Sequence, residues 1–275
     1  MSRYVFSGHE SFICKSLWLK KGYDFLKSGS NFNDSDAVVK LGVGKNMVSA
    51  LRFWMKSFGL TENDHLTDFA DFIFGVDTYI EDTGTLWLLH YKLVHKRIAS
   101  IYNLAFLEYQ REKKEFDRES FLSFIKRKCN TPEQKNVFNE NTVRRDISVF
   151  LRNYVKPENL NSPEDFSALL LDLKLVYQSN KTCYTFNETR VTDISPFVIL
   201  FALLDIKGND STLSSDVLQT VALIFCMPFN SFTDILFQLS EMFPDLIAYS
   251  DNSGVKNVQF LREADKYQLM RNSYK

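Results

Sequence analysis

The sequence predicts a mainly α chain of the α+β class, built from tandem helix-turn-helix or winged-helix units that carry small β-hairpins. Three observations predict it. Apolar residues recur at helical spacing through most of the 275 residues, as at Val48, Leu51 and Met55. Short alternating stretches around polar turns follow pairs of such helices, at 175–186 and 246–261. In the segment 36–56, Gly42 separates two amphipathic stretches at a point where a sharp turn needs a positive φ.

The elements follow in order. A first helix is expected over 12–27, with Phe12, Leu17, Leu19 and residues 23–26 on its apolar side, and then a polar loop over 28–34. Asp34 or Ser35 caps a short helix ending at Leu41, and Val43 is the buried turn residue after Gly42. Val38 stands where such motifs usually carry a small residue, with Ala37 beside it. The second helix begins at Lys45. Its outward face carries Lys45, Asn46, Ser49, Arg52 and Lys56, side chains able to reach phosphates and base edges in a major groove. Gly59 stops this helix, and a polar turn over 60–66 forms a short wing before the apolar stretch 66–75. Two long apolar helices are expected, one beginning at 84–90 and one over 98–111.

The mixed-charge stretch 108–119 reads as a boundary. Beyond it, helices over 120–128 and 141–154 are joined by a Thr-Pro-Glu-Gln turn region, and Asn139 or Asn141 caps the second. That helix buries Val143, Ile147, Phe150 and Leu151, and turns Arg144, Arg145 and Arg152 to other faces. With the hairpin over 175–186, it makes a second winged-helix-like unit. Helices over 214–226 and 230–242, two strands around an Asp-Asn-Ser-Gly turn, and a last helix from Ala264 make a third. The expected domains are 1–112, 113–205 and 206–275.

Composition bounds the function. Hydrophobic residues are 45% and aromatic residues 15%, enough for a large interior. Lys and Arg number 33 against 34 Asp and Glu, a net charge of −1, so any nucleic-acid face is a local patch. The four cysteines, Cys14, Cys129, Cys183 and Cys226, form no C-x-x-C pair, which points to a reducing compartment and away from structural zinc. The N-terminus lacks the apolar core of a signal peptide, and the apolar run 196–204 ends at Asp205, too short for a membrane span. A cytoplasmic protein without a membrane segment is expected.

Four motifs carry a resemblance: Phe6-Ser-Gly-His-Glu-Ser-Phe12, Trp18-Leu-Lys-Lys-Gly22, Leu41-Gly-Val-Gly-Lys-Asn-Met47 and Gly84-Thr-Leu-Trp-Leu-Leu-His90. Together they resemble the SspB-like bacterial family encoded with DNA phosphorothioation systems. The resemblance implies a place in a DNA-modification and anti-phage defence cluster, beside a cysteine desulfurase, an ATPase and a sulfur-transferring reductase-like enzyme. It also implies a DNA-nicking activity, with Mg²⁺ or Mn²⁺ as the divalent metal of such a nickase.

Chemistry concentrates in the Ser-Gly-His-Glu loop. His9 and Glu10 are candidates for a general base and a metal-binding carboxylate. The alternative is that Glu10 caps or ion-pairs with the following helix while His9 packs under Trp18. His90 and His95 lie on an apolar helix and read as hydrogen-bonded core residues. Glu133-Gln-Lys135 has nuclease-like spacing but falls on a turn, and Gly42-Val-Gly-Lys45 lacks the spacing of a Walker A loop. Asp68, Asp71 and Asp77 near the wing would repel phosphates. Arg144, Arg145 and Arg152, with Lys126, Arg127 and Lys128, form a second basic concentration, either a solvated surface or a second duplex contact. The expected function is a DNA-binding component. A metal-dependent nickase and an interaction subunit that does not bind DNA are the alternatives.

Overall fold

The computed structural model describes residues 4–157, 167–252 and 255–274. The chain is mainly α with small antiparallel sheets, and it divides into two compact units, Met1–Asn187 and Glu188–Lys275.

The first unit opens with α1 (Trp18–Lys27), α2 (Ala37–Leu41) and α3 (Lys45–Ser57). Helix α1 starts later than its apolar pattern suggests. Residues before it are extended, with Ser16 N–H donating to Ser167 O at 2.7 Å and Leu169 N–H donating to Cys14 O at 2.9 Å. Those long-range bonds hold the backbone that a helix from residue 12 would need. Gly42 takes φ 61° and ψ 37°, the left-handed turn expected between α2 and α3. Strands β1 (Thr61–Glu62) and β2 (His65–Leu66) pair around Asn63 and Asp64, both at positive φ as a tight two-residue hairpin turn requires.

Helices α4 (Asp68–Val76) and α5 (Thr83–His95) follow, and α5 is buried on nearly every side. The helix expected over 98–111 is α6 (Ser100–Asn103), a π-helical run Leu104–Tyr109 and α7 (Gln110–Glu112). Next come β3 (Glu115–Asp117), α8 (Arg118–Lys128), α9 (Pro132–Val137), α10 (Glu140–Tyr154), β4 (Val176–Gln178) and β5 (Cys183–Phe186). The expected Thr-Pro-Glu-Gln turn is instead the start of α9. Thr131 Oγ1 accepts from Gln134 N–H and Gln134 Oε1 from Thr131 N–H, a capping box with Pro132 in the first turn. The core of this unit is aromatic, with Trp54, Tyr91, Tyr102, Phe106, Phe121, Phe150 and Tyr154 fully buried.

The second unit runs α11 (Pro196–Lys207), β6 (Thr212–Ser214), α12 (Ser215–Ile224), α13 (Phe229–Met242), β7 (Ile247–Asn252), β8 (Val255–Phe260) and α14 (Lys266–Arg271). Of the expected Asp-Asn-Ser-Gly turn, Ser253 and Gly254 lie outside the described residues. Helix α11 is apolar around most of its circumference, which fits a helix packed on most sides.

Sequence reasoning found each hairpin but neither of the short strands that complete the sheets. Strand β3 pairs with β5 to give the order β3-β5-β4, and β6 pairs with β8 to give β6-β8-β7. Each added strand is three residues long and runs directly into a helix, so it leaves no alternation to read. Both blocks share one path of strand, helices and hairpin, in which α10 and α13 occupy the place just before the hairpin. Helix α3 holds the same place before β1 and β2. No single helix among the described residues is long and apolar enough to cross a membrane.

Candidate nucleic-acid interface

Helix α3 is built to show one face. Val48, Ala50, Leu51, Trp54 and Met55 are buried, while Lys45, Asn46, Ser49 and Lys56 are exposed. Its inner face meets α1 closely at Gly22, where an added Cβ would lie 2.7 Å from Leu51 Cδ2 and 2.9 Å from Met55 Sδ. That close crossing fixes the axis of α3, and with it the direction of the exposed side chains. Among the described residues neither Lys45 nor Lys56 is ion-paired.

Arg52 behaves differently. Its Nε donates to Asp64 Oδ1 at 2.8 Å, a second guanidinium nitrogen donates to Asp64 Oδ2, and the third donates to Asn33 Oδ1 at 3.0 Å. This bidentate pair ties α3 to the β1–β2 turn, so Arg52 braces the hairpin against the helix. Asp68, Asp71 and Asp77 lie off the hairpin. Asp71 accepts from Lys27 Nζ at 2.8 Å and Tyr23 Oη at 2.9 Å, which hold its carboxyl below the usual range. Asp77 accepts from the N–H groups of Glu81 and Asp82.

The second basic concentration is largely neutralised. Arg144 is paired with Glu119 and Glu140, Arg127 with Glu112, and Lys128 with Glu108 at 2.6 Å. Arg145 is exposed on α10 and not ion-paired among the described residues. Arg152 donates to Ser11 O at 2.8 Å.

That last bond belongs to the support of the Ser-Gly-His-Glu loop. Ser7, Glu10 and Ser11 all have positive φ, an unusual density for residues with a side chain. The loop is bolted to α10 at three points. Ser7 N–H donates to both oxygens of Asp146 at 3.1 and 3.0 Å, Arg152 holds Ser11 O, and Asn153 Oδ1 accepts from Cys14 N–H at 3.2 Å. His9 is 2% exposed, and its ring lies parallel to Trp54 with centroids 5.8 Å apart. The partner is Trp54 of α3, where the sequence suggested Trp18. Nδ1 of His9 accepts from Ser11 N–H at 3.1 Å, which assigns the proton to Nε2. Nε2 lies 3.1 Å from Asp146 Oδ1 but off the line of its N–H, a close contact with no directed hydrogen bond.

Glu10 is exposed, whereas His9 is buried. Helix α1 has no acidic residue in its first turn and no side-chain cap, so Glu10 does not cap it. A divalent cation needs two or three converging carboxylates. Among the described residues no three His, Cys, Asp or Glu side chains converge in that way, and both Asp146 oxygens accept from Ser7 N–H. The described residues therefore offer no three-ligand metal centre. Burial pushes the thiols of Cys14, Cys129 and Cys226 up, away from nucleophilic use.

Gly8 explains why the loop has a glycine. An added Cβ would lie 2.2 Å from Cδ2 of Phe53 and 2.3 Å from Cε2, too close unless the ring or loop moves. Gly8→Ala is therefore expected to cost about 1–3 kcal/mol of stability, read from urea unfolding. A loss below about 0.5 kcal/mol would show that Phe53 swings aside freely.

Comparison with known proteins places this architecture. The model of the family described as "Protein of unknown function (DUF4007)" matches residues 6–274. No curated protein matches. Among solved structures, the chain resembles one titled "SspB crystal structure" with TM-score 0.83 and 23% identity, over 97% of this chain and 86% of that one. It also resembles "Magnesium ion-bound SspB crystal structure" with TM-score 0.81 and 23% identity, at the same coverage.

Proposed function

The chain belongs to the DUF4007 family, and from that premise and the exposed face of α3 we propose that it is a DNA-binding component of a bacterial phosphorothioation and defence system. Helices α2 and α3 form its helix-turn-helix, and the three helix-and-hairpin blocks are winged-helix units of unequal completeness. The observation that carries the reading is the row Lys45, Asn46, Ser49 and Lys56, exposed on a helix whose other side is locked into the core. The lysines meet phosphates, and Asn46 and Ser49 reach base edges. Arg52 holds the β1–β2 hairpin at the flank of the helix. The phosphorothioation setting rests on the motif resemblance and is in keeping with the SspB-like fold. Its setting would be the cytoplasm, with the desulfurase, ATPase and sulfur-transferring enzyme of such clusters as companions.

The test is a mobility-shift titration with duplex DNA at several salt concentrations. Lys45→Glu with Lys56→Glu is expected to weaken binding more than about tenfold and to flatten the salt dependence by about two counterions. Arg144→Ala, which removes a cation already paired with Glu119 and Glu140, should change affinity less than about twofold. Equal binding by the wild-type chain and the double lysine variant would remove α3 from the interface.

A further inference from the structure

Helices α3, α10 and α13 hold the same place in their blocks, yet α13 shows a different chemistry. Its sequence, FNSFTDILFQLSEM, contains no Lys or Arg. Phe232, Ile235, Leu236 and Leu239 are buried, and Asp234, Phe237, Gln238, Glu241 and Met242 face outward. Phe237 is 52% exposed and Met242 41%, well beyond what core packing of this helix requires. The Phe237 ring is not loose. It meets Tyr249 of β7 edge-on at 4.8 Å, and Tyr249 is itself fixed by its N–H donating to Ser240 Oγ at 2.9 Å. Among the described residues Asp234 and Glu241 are not ion-paired.

Charge decides what fits this face. Two unpaired carboxylates beside an exposed aromatic repel nucleic-acid phosphates and anionic lipid alike. A second copy docked through the same face would bring Asp234 and Glu241 against their own counterparts in a two-fold contact, which like charge disfavours. The complementary surface is apolar at its centre and flanked by cations. We propose that the α13 face is a protein-docking surface that takes an amphipathic, lysine- or arginine-flanked helix of a partner protein, with Phe237 as the anchor and Asp234 and Glu241 as charge partners.

The probe is a synthetic helical peptide of alanine, leucine and lysine, with leucines in one stripe and lysines on both sides. Its control replaces every lysine with glutamate. Fluorescence anisotropy on the full chain at low salt should show saturable binding of the lysine peptide and none of the control. Phe237→Ala is expected to weaken binding at least about tenfold. Asp234→Lys with Glu241→Lys should reverse the preference, so that the glutamate peptide binds instead. All these positions are exposed, so the variants should keep the wild-type circular dichroism and the DNA mobility shift, which separates this face from α3. Absence of lysine-peptide binding, or binding unchanged in the variants, overturns the proposal. So does wild-type self-association in sedimentation that Phe237→Ala abolishes, because the occupant would then be a second copy.

Discussion

Asp146→Ala is expected to lower the unfolding free energy by about 2–4 kcal/mol, measured by urea denaturation followed by circular dichroism. The carboxylate is 2% exposed, receives the Ser7 N–H on both oxygens, and faces Nε2 of an equally buried His9. Alanine removes the acceptor of the Ser7 N–H beside the buried Nε2 of His9, so the cost is desolvation without return. Asparagine should not restore the loss fully. Its oxygen can serve Ser7, but its NH₂ then points at a second donor, because Ser11 N–H keeps Nδ1 of His9 as the acceptor. A double-mutant cycle of Asp146→Ala and His9→Ala should show coupling above about 1 kcal/mol. Independent, additive losses would mean that the two side chains pack side by side without interacting.

The same pair marks the limit of what local sequence can say. Gly42 announces the α2–α3 turn because the signal is a single residue with a required φ. The outward row on α3 follows from the 3.6-residue period, and the hairpins from short alternation around polar turns. The segment Thr131-Pro-Glu-Gln134, expected as a turn, instead caps a helix, with a threonine three residues before a glutamine and proline first in the helix. No such signal exists for the anchor of the Ser-Gly-His-Glu loop. Asp146 is 139 residues away from Ser7, and on α10 it looks like one more polar residue in a charged stretch. Arg52 is the intermediate case. Its period puts it on the outward face, but only the fold brings Asp64 beneath it, 12 residues on, and turns a free cation into a brace. In the basic run around Arg144, too, charge counts along the chain do not show which carboxylates lie across from it.

Trp54→Ala should be the most damaging single substitution considered for this chain, at about 3–5 kcal/mol. Trp54 is 0% exposed and belongs to α3, yet it touches three other parts of the unit. Its Nε1 donates to Phe12 O at 3.2 Å, its ring stacks on His9, and it meets Tyr102 edge-on at 6.0 Å. Truncation leaves a large void, an unsatisfied carbonyl and an unsupported histidine in one place. Trp54→Phe keeps most of the ring area and should cost only about 1–2 kcal/mol. The two variants separate folding from function. If the inner face of α3 sets the direction of Lys45, Asn46, Ser49 and Lys56, then Trp54→Phe keeps the DNA shift, while folded Trp54→Ala loses affinity without changing any exposed side chain. Wild-type affinity in Trp54→Ala at a temperature where it is fully folded would mean that the outward row does not depend on this packing. The lysines would then act as an unpositioned charge patch, and the case for a helix-turn-helix fit to the groove would fail.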